Sequence, residues 1–251
     1  MASYAKSFSV CVLFVVALVG LLVMVGSASA TTIDPSVQAV SSQWYPVVYG
    51  NDRAGVYTVN GSGMTGTVGV AGTVSSATAS STENGTMWIT LGNYPSTLPL
   101  LPLGDDLNPF ITYNLGAAYN VTALDIWNYN GLNGQQFGMK NVVIYAGLTP
   151  GSLSSFGPFV FPEATGLSTY TGSSVSASLP NVQYIKFVPT DTYDGAIFNG
   201  AGSPYGGTGG HYLTGLAEVR FEGSPVPEPS TLILLGTGLL GLLAYAWRKR
   251  R

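Results

Sequence analysis

Beyond its first thirty residues the chain contains no cysteine; the single one, Cys11, lies in an apolar leader. That excludes disulfides and thiolate metal centres from everything downstream. Histidine is almost as scarce. His211 stands alone, so no cluster of histidines can hold a metal, and no nucleophile or carboxylate lies at a telling spacing from it. Positive charge is short as well. Between Thr31 and Glu222 four basic residues (Arg53, Lys140, Lys186, Arg220) face eleven acidic ones, a formal charge of −7. Such a surface repels phosphate backbones and argues against a nucleic-acid partner. It also repels an acidic polysaccharide unless divalent cations bridge the two. Few parts of the same stretch show helical periodicity, and the crossover helices that a parallel sheet needs are not seen.

Long apolar runs occur only at the two ends. Lys6 precedes the run Phe8 to Val25, and Ser27-Ala28-Ser29-Ala30 follows as the small-x-small pattern that signal peptidase reads. Residues 1–30 are therefore expected to be a signal peptide cleaved after Ala30. An uncleaved anchor is the alternative, since the run is long enough to span a bilayer. Lipid attachment at Cys11 is disfavoured by bulky Val10 before it. Residues 31–222 remain as one domain, with ample length for a core.

Gly, Ser, Thr, Asn and Tyr dominate that domain. Phe110 to Leu115 places Ile111, Tyr113 and Leu115 on one face, and Val121 to Tyr129 follows a Gly-Ala-Ala-Tyr-Asn turn. Asn141 to Ala146 is nearly all β-branched or aromatic. Ser174 to Leu179 alternates Val175, Ala177 and Leu179, and Val182 to Val188 sets Ile185 and Phe187 on one face. Leu216 to Phe221 closes the domain. Weaker strands are expected at Val56–Val59, Thr65–Val70 and Met87–Leu91. Eight to ten short strands with Gly/Asn/Pro-rich connections predict an all-β, antiparallel β-sandwich. Two connections are long, Asn93 to Asn108 and Pro189 to Gly215. The second holds five glycines between Gly202 and Gly210, so it is expected to be flexible and functional.

The segments "VYTVNGSGMTG", "NGTMWIT", "ITYNLGAAYNVTALDIWNYNG", "FGMKNVVIYAG", "VQYIKFVP" and "GLAEVRFEG" occur in this order from Val56 to Gly223. Together they resemble a discoidin-like (coagulation factor 5/8 C-type) domain of the galactose-binding-like superfamily. The resemblance implies a jelly-roll sandwich that binds carbohydrate, or in some members lipid or protein, through loops at one end. Many members carry a structural calcium. Carbohydrate binders of the family often use an Arg/His/aromatic set on those loops. Here the loop Asn130 to Gly138 carries Asn133, Gln135, Gln136 and Phe137, without an arginine.

Trp127, Tyr129 and Asn130 end a strand and enter that loop. Rings stack on the apolar face of a sugar and amides bond its hydroxyls. Trp127 is expected in the core, whereas Tyr129, Asn130 and Gln135 are ligand candidates. In the late Gly-rich loop, His211 and Tyr212 are candidates for contact with a ligand hydroxyl, with simple solvation of His211 as the alternative. Glu218 sits between Ala217 and Val219, and a carboxylate among apolar neighbours requires a partner. In the resembled family an acidic residue at this place completes a calcium site; Asn60-Gly61-Ser62 would add oxygen ligands suited to a hard cation. A pair with Arg53 or Lys186, or exposure, is the competing expectation. Asp105-Asp106 do not make a hydrolytic pair, because adjacent strand residues point to opposite faces. Asp191, Asp194 and Asn199 are read as solvated turns before a cation site.

Thr231 to Trp247 is apolar, and as a helix it would reach roughly 25 Å, enough for a thin bilayer. Arg248 to Arg251 would stay on the cytoplasmic side. Val226-Pro227-Glu228-Pro229-Ser230-Thr231, the Leu/Gly-rich span with Gly236, Gly238 and Gly241, and the basic end resemble a PEP-CTERM sorting signal. Its tripeptide falls on Pro227, Glu228 and Pro229, and its basic stop on Arg248, Lys249, Arg250 and Arg251. The resemblance implies recognition by an exosortase, a membrane cysteine transpeptidase of Gram-negative bacteria. It implies a form held in the inner membrane, then delivered to the cell surface or extracellular matrix. Such proteins are associated with exopolysaccharide, biofilm or floc. The expectation is thus a jelly roll over residues 31–222, flanked by a signal peptide (1–30) and a sorting signal with one transmembrane helix (223–251). It is non-enzymatic and binds or organises extracellular polysaccharide. The alternatives are a structural matrix or adhesion protein without a specific ligand, and a polysaccharide-acting enzyme.

Overall fold

Apolar alternation along Gly/Asn-punctuated segments folds, among the described residues, into ten short-to-long strands. A computed structural model describes residues 29–43, 53–65, 75–76, 87–90, 106–131, 134–198, 212–227 and 229–250. Residues 1–28 of the expected signal peptide lie outside them. The strands are β1 (Thr31–Ile33), β2 (Ser36–Val40), β3 (Met64–Thr65), β4 (Ser75–Ser76) and β5 (Trp88–Ile89). They continue as β6 (Ile111–Asn128), β7 (Asn141–Thr149), β8 (Ser152–Val160), β9 (Ser173–Pro189) and β10 (Gly215–Pro225). A helix α1 (Pro229–Arg248) follows.

The main sheet runs β1-β10-β6-β9-β7-β8, with β2 also on β6 and β5 also on β10; β3 and β4 form a separate ribbon. Every strand pairing is antiparallel. Two layers arise because β6 and β9 fold over. Ile111, Tyr113 and Leu115 from the first part of β6 line the same core as Val121, Leu124 and Ile126 from its second part. The β6–β9 register is irregular between Asn114 and Ala123, and Gly116 there has φ +81°. Asn181 opposite has φ +53°, a left-handed conformation that Asn tolerates. The result is an antiparallel β-sandwich.

Tyr113, Phe187, Phe221 and Phe161 hold the centre. Tyr113 meets Phe187 and Phe221 edge-on at 5.3 and 5.5 Å, and Phe161 meets Phe187 at 5.2 Å. The buried Tyr113 hydroxyl donates to Thr58 Oγ1 at 3.2 Å, which satisfies its polar tip. A second apolar cluster of Met87, Ile89, Trp127, Tyr129, Ala164, Tyr170, Leu213 and Ala217 lies beneath the loops at one end.

Several expectations change. The turn expected at residues 116–120 is a bend inside β6, and the two strands expected at 174–179 and 182–188 are one strand, β9. Val56–Val59 is not a strand: Gly55–Thr58 makes a 3₁₀ turn, stabilised by Thr58 Oγ1 donating to Gly55 O at 2.8 Å. There is no room for a side chain at Gly55, where a Cβ would lie 2.5 Å from Val40. β10 continues through Pro225, past the expected boundary at Glu222. Of Thr65–Val70 only Thr65 is described, and of Asn93–Asn108 only residues 106–108.

The sandwich has two distinct ends. At the loop end, Asn128 pairs with Leu216, Gly138 bridges Gly215, and Met139 bridges Thr192. At the bend end, Thr31 pairs with Gly223 and Val226 N–H donates to Ala118 O at 2.9 Å.

Candidate functional site

Three connections meet at the loop end: residues 129–140, 161–172, and 190–214 where described. Two asparagines of β6 and its exit fasten them. Asn128 Nδ2 donates to Met139 O at 2.7 Å and Pro162 O at 2.9 Å, and its Oδ1 accepts from Tyr129 N at 2.9 Å. Asn130 Nδ2 donates to Leu167 O at 2.8 Å, and its Oδ1 accepts from Gly166 N at 2.7 Å. Asp191 accepts from Asn141 N and Asn141 Nδ2 at 2.8 and 2.7 Å. Tyr193 OH donates to Phe161 O at 2.5 Å, and Lys140 Nζ lies 5.8 Å from the centre of its ring. Burial, with the Glu163 carboxylate next, raises the Tyr193 phenol above its ordinary value. Asp194 N donates to Gln136 O at 2.9 Å, which ties the third connection to the first.

This bracing decides which expected residues face outward. Trp127 is core, as expected, with Gly172 against its ring. Tyr129 and Asn130 are buried, at 7% and 0% exposure, and belong to the platform beneath the loops. Gln135 is half-buried on the 3₁₀ turn Gln135–Phe137, beside Gly166, and its Oε1 is buried with no hydrogen-bond partner among the described residues. Tyr212 is half-buried. His211 and Asn199 lie outside the described residues. Sequence reasoning missed Asn128 and Tyr193. Neither carries a motif, and an amide that braces loops looks the same in sequence as one that binds sugar.

Glu218 and the loop after Val59 do come together, but with donors facing the carboxylate. Glu218 Oε1 lies 2.5 Å from Arg220 Nη2, and Oε2 accepts from Gly61 N at 3.3 Å. Arg220 Nη1 donates to Val59 O at 2.7 Å, so both side chains clamp the same loop. The partner is Arg220 rather than Arg53 or Lys186. Asn60 Oδ1 is taken by Ser62 N at 2.9 Å. Burial pushes the Glu218 carboxyl up to about 7, against the lowering effect of Arg220 and the Gly61 amide. As arranged, this set does not fit calcium, which needs oxygen lone pairs where a guanidinium and an amide hydrogen now stand. Among the described residues no three His, Cys, Asp or Glu side chains converge as metal ligands. Asp106 accepts from Ser42 Oγ and Asn108 N, a turn rather than half of a hydrolytic pair.

At the other end β10 is followed by Val226 and Pro227, and α1 begins at Pro229. Leu235, Leu240, Leu242, Tyr245 and Trp247 of α1 are exposed, and so are Arg248, Lys249 and Arg250 after them. Among the described residues no helix is long and apolar enough to cross a membrane. Glu228 and Arg251 lie outside the description.

Residues 225–251 match the family model of the PEP-CTERM protein-sorting motif. No curated protein matches the chain. Solved structures that it is similar to include CBM32-3 from a family 31 glycoside hydrolase of Clostridium perfringens, at 14% identity and TM-score 0.48, covering 77% of this chain and 96% of that one. A family 32 CBM from Clostridium perfringens in complex with galactose is similar at 15% identity and TM-score 0.40, covering 77% and 98%. The F5/8 type C domain of a Bacteroides fragilis protein is similar at 12% identity and TM-score 0.43, covering 80% and 100%.

Proposed function

We propose that this is an exported protein of a Gram-negative cell. Its C-terminal segment holds it in the inner membrane until an exosortase processes it, and its sandwich then binds or organises extracellular polysaccharide. The observation that carries the reading is the sorting motif at residues 225–251, joined to the closing strand of the sandwich. Pro227 and Pro229 lack amide donors, so the short link between β10 and α1 has few groups to pair with a strand, which suits recognition by an enzyme. Arg248, Lys249 and Arg250 suit a cytoplasmic stop after the apolar stretch. Intact mass of the cell-surface form tests this half. Loss of the residues after the motif supports processing; a mass that retains Arg251 overturns it in favour of plain anchoring.

The ligand half rests on the chemistry of the loop end. Gln135, Gln136, Tyr193 and Tyr212 are partly exposed there, an amide-and-phenol set that suits sugar hydroxyls and the apolar faces of rings. Lys140 rests near Tyr193, and the acidic balance of the domain favours a neutral glycan over an acidic one. Affinity electrophoresis through the host's own neutral polysaccharide is expected to retard the domain, with weaker retardation for Gln135→Ala and Tyr193→Ala. Flat mobility would favour the structural matrix reading. Release of reducing ends by the purified domain would favour an enzyme.

A further inference from the structure

The two routes by which the chain enters and leaves the sandwich lie side by side. Thr31 pairs with Gly223, and Val226 is bonded to Ala118, so the first strand begins and the last strand ends at the bend end. From Val226 to the first residue of α1 there are three steps of chain, at most about 10 Å. A bilayer that holds α1 therefore lies within reach of the bend end. The loop end sits at the other end of β10, roughly 33 Å away along the strand.

The bend end is also chemically distinct. Its segments are the bend of β6 (116–120), the β7–β8 turn (147–153), the middle of β9 (180–183) and the exit of β10 (223–227). None of them contains a charged residue, in a domain whose formal charge is −7. Ala117, Leu148, Pro150, Gly151, Asn181 and Pro225 are exposed there. Moving away from the tip, charge begins again at Asp34, Asp125, Lys186 and Glu222. A carboxylate within a Debye length, about 8 Å, of an anionic leaflet would be repelled. The four tip segments carry none, and the nearest carboxylate is Glu222, one residue inside Gly223.

We propose that the bend end is a membrane-facing surface, seated on lipid headgroups while α1 is attached, and that it holds the loop end outward. This rests on the reading of residues 225–251 as membrane-held. The occupant is the bilayer in which α1 is anchored, fixed by the length of chain between Val226 and Pro229.

The test uses the full chain in a Cys11→Ser background, reconstituted in vesicles of phosphatidylethanolamine and phosphatidylglycerol. Single cysteines at Ala117, Leu148, Thr165 and Leu240 carry one fluorophore each, and quenchers sit either at the headgroup or deep in the acyl chains. Leu240 is near the middle of α1, so the expected result is deep quenching at Leu240→Cys, and headgroup quenching at Ala117→Cys and Leu148→Cys several-fold above that at Thr165→Cys. Quenching at Leu240→Cys with bend-end and loop-end labels equal, or with the bend end unquenched, overturns this surface and leaves the anchoring reading standing. No quenching at Leu240→Cys overturns both. Near-ultraviolet circular dichroism of each labelled variant confirms that the sandwich is folded.

Discussion

Each of the four basic side chains of the sandwich has a structural position. Lys186 Nζ lies 3.9 Å from the centre of the Phe110 ring, Lys140 lies near Tyr193, Arg220 pairs with Glu218, and Arg53 is buried. Glu218 is the residue most exposed to pH. Its carboxyl ordinarily titrates near 4.5 and is raised to about 7 in the fold, so the folded chain binds the proton more tightly than the unfolded one. Its contribution is fully present below about 4.5 and is lost as pH rises through about 7. Burial raises Asp125 in the same direction, opposed by hydrogen bonds with Ser174 and Glu222. The denaturation midpoint is therefore expected to fall between pH 5 and pH 8, and Glu218→Gln should flatten that slope. Millimolar calcium is expected to leave the melting temperature unchanged while Arg220 holds Glu218. A rise that chelator reverses would show a cation displacing the guanidinium. Asn130→Ala removes its part-buried hydrogen bonds to Gly166 N and Leu167 O and is expected to cost about 1–2 kcal/mol in denaturant unfolding. The amide types were legible in the sequence, but their direction was not: Asn130 uses on its own loops the very atoms that would suit a sugar.

Strands with one face in the core were legible, because burial imposes a period of two. Val175, Ala177 and Leu179 turn inward while Ser174, Ser176 and Ser178 stay exposed. β8 went unread because it is an edge strand with both faces largely solvated, so Ser, Gly and Pro serve as well as apolar residues. Its Pro158 and the left-handed Gly157 interrupt the open edge against a neighbouring copy. β1 and β2 were too short to show alternation. At Val56-Tyr57-Thr58, β-propensity lost to the close approach of Gly55 to Val40 and to local hydrogen bonds. Two glycines separate backbone strain from packing. Gly195 has φ +89° with open space around it, so Gly195→Ala should cost only about 1 kcal/mol. Gly172 has φ +76°, and a Cβ would lie 2.7 Å from the Trp127 ring, so Gly172→Ala adds overpacking of about 1–3 kcal/mol. Equal midpoint shifts for the two variants would contradict the packing of Gly172 on Trp127.

For the molecule as a whole, the sandwich was legible from strand count and missing helices, and the C-terminal address from a short, specific motif. The curl that brings both termini to one tip was not legible, because register irregularities between Asn114 and Ala123 leave no mark in hydrophobic pattern. The pairing of Thr31 with Gly223 has a kinetic meaning. Contacts between the first and last strands require almost the longest loop closure the domain offers, and folds dominated by such contacts form slowly. A chain threading outward would stay open until β10 has emerged, immediately ahead of α1. A version truncated before Gly215 is expected to show no cooperative unfolding transition, whereas one ending at Val226 should unfold cooperatively. The timing of compaction is thereby set by the last strand to leave the cytoplasm.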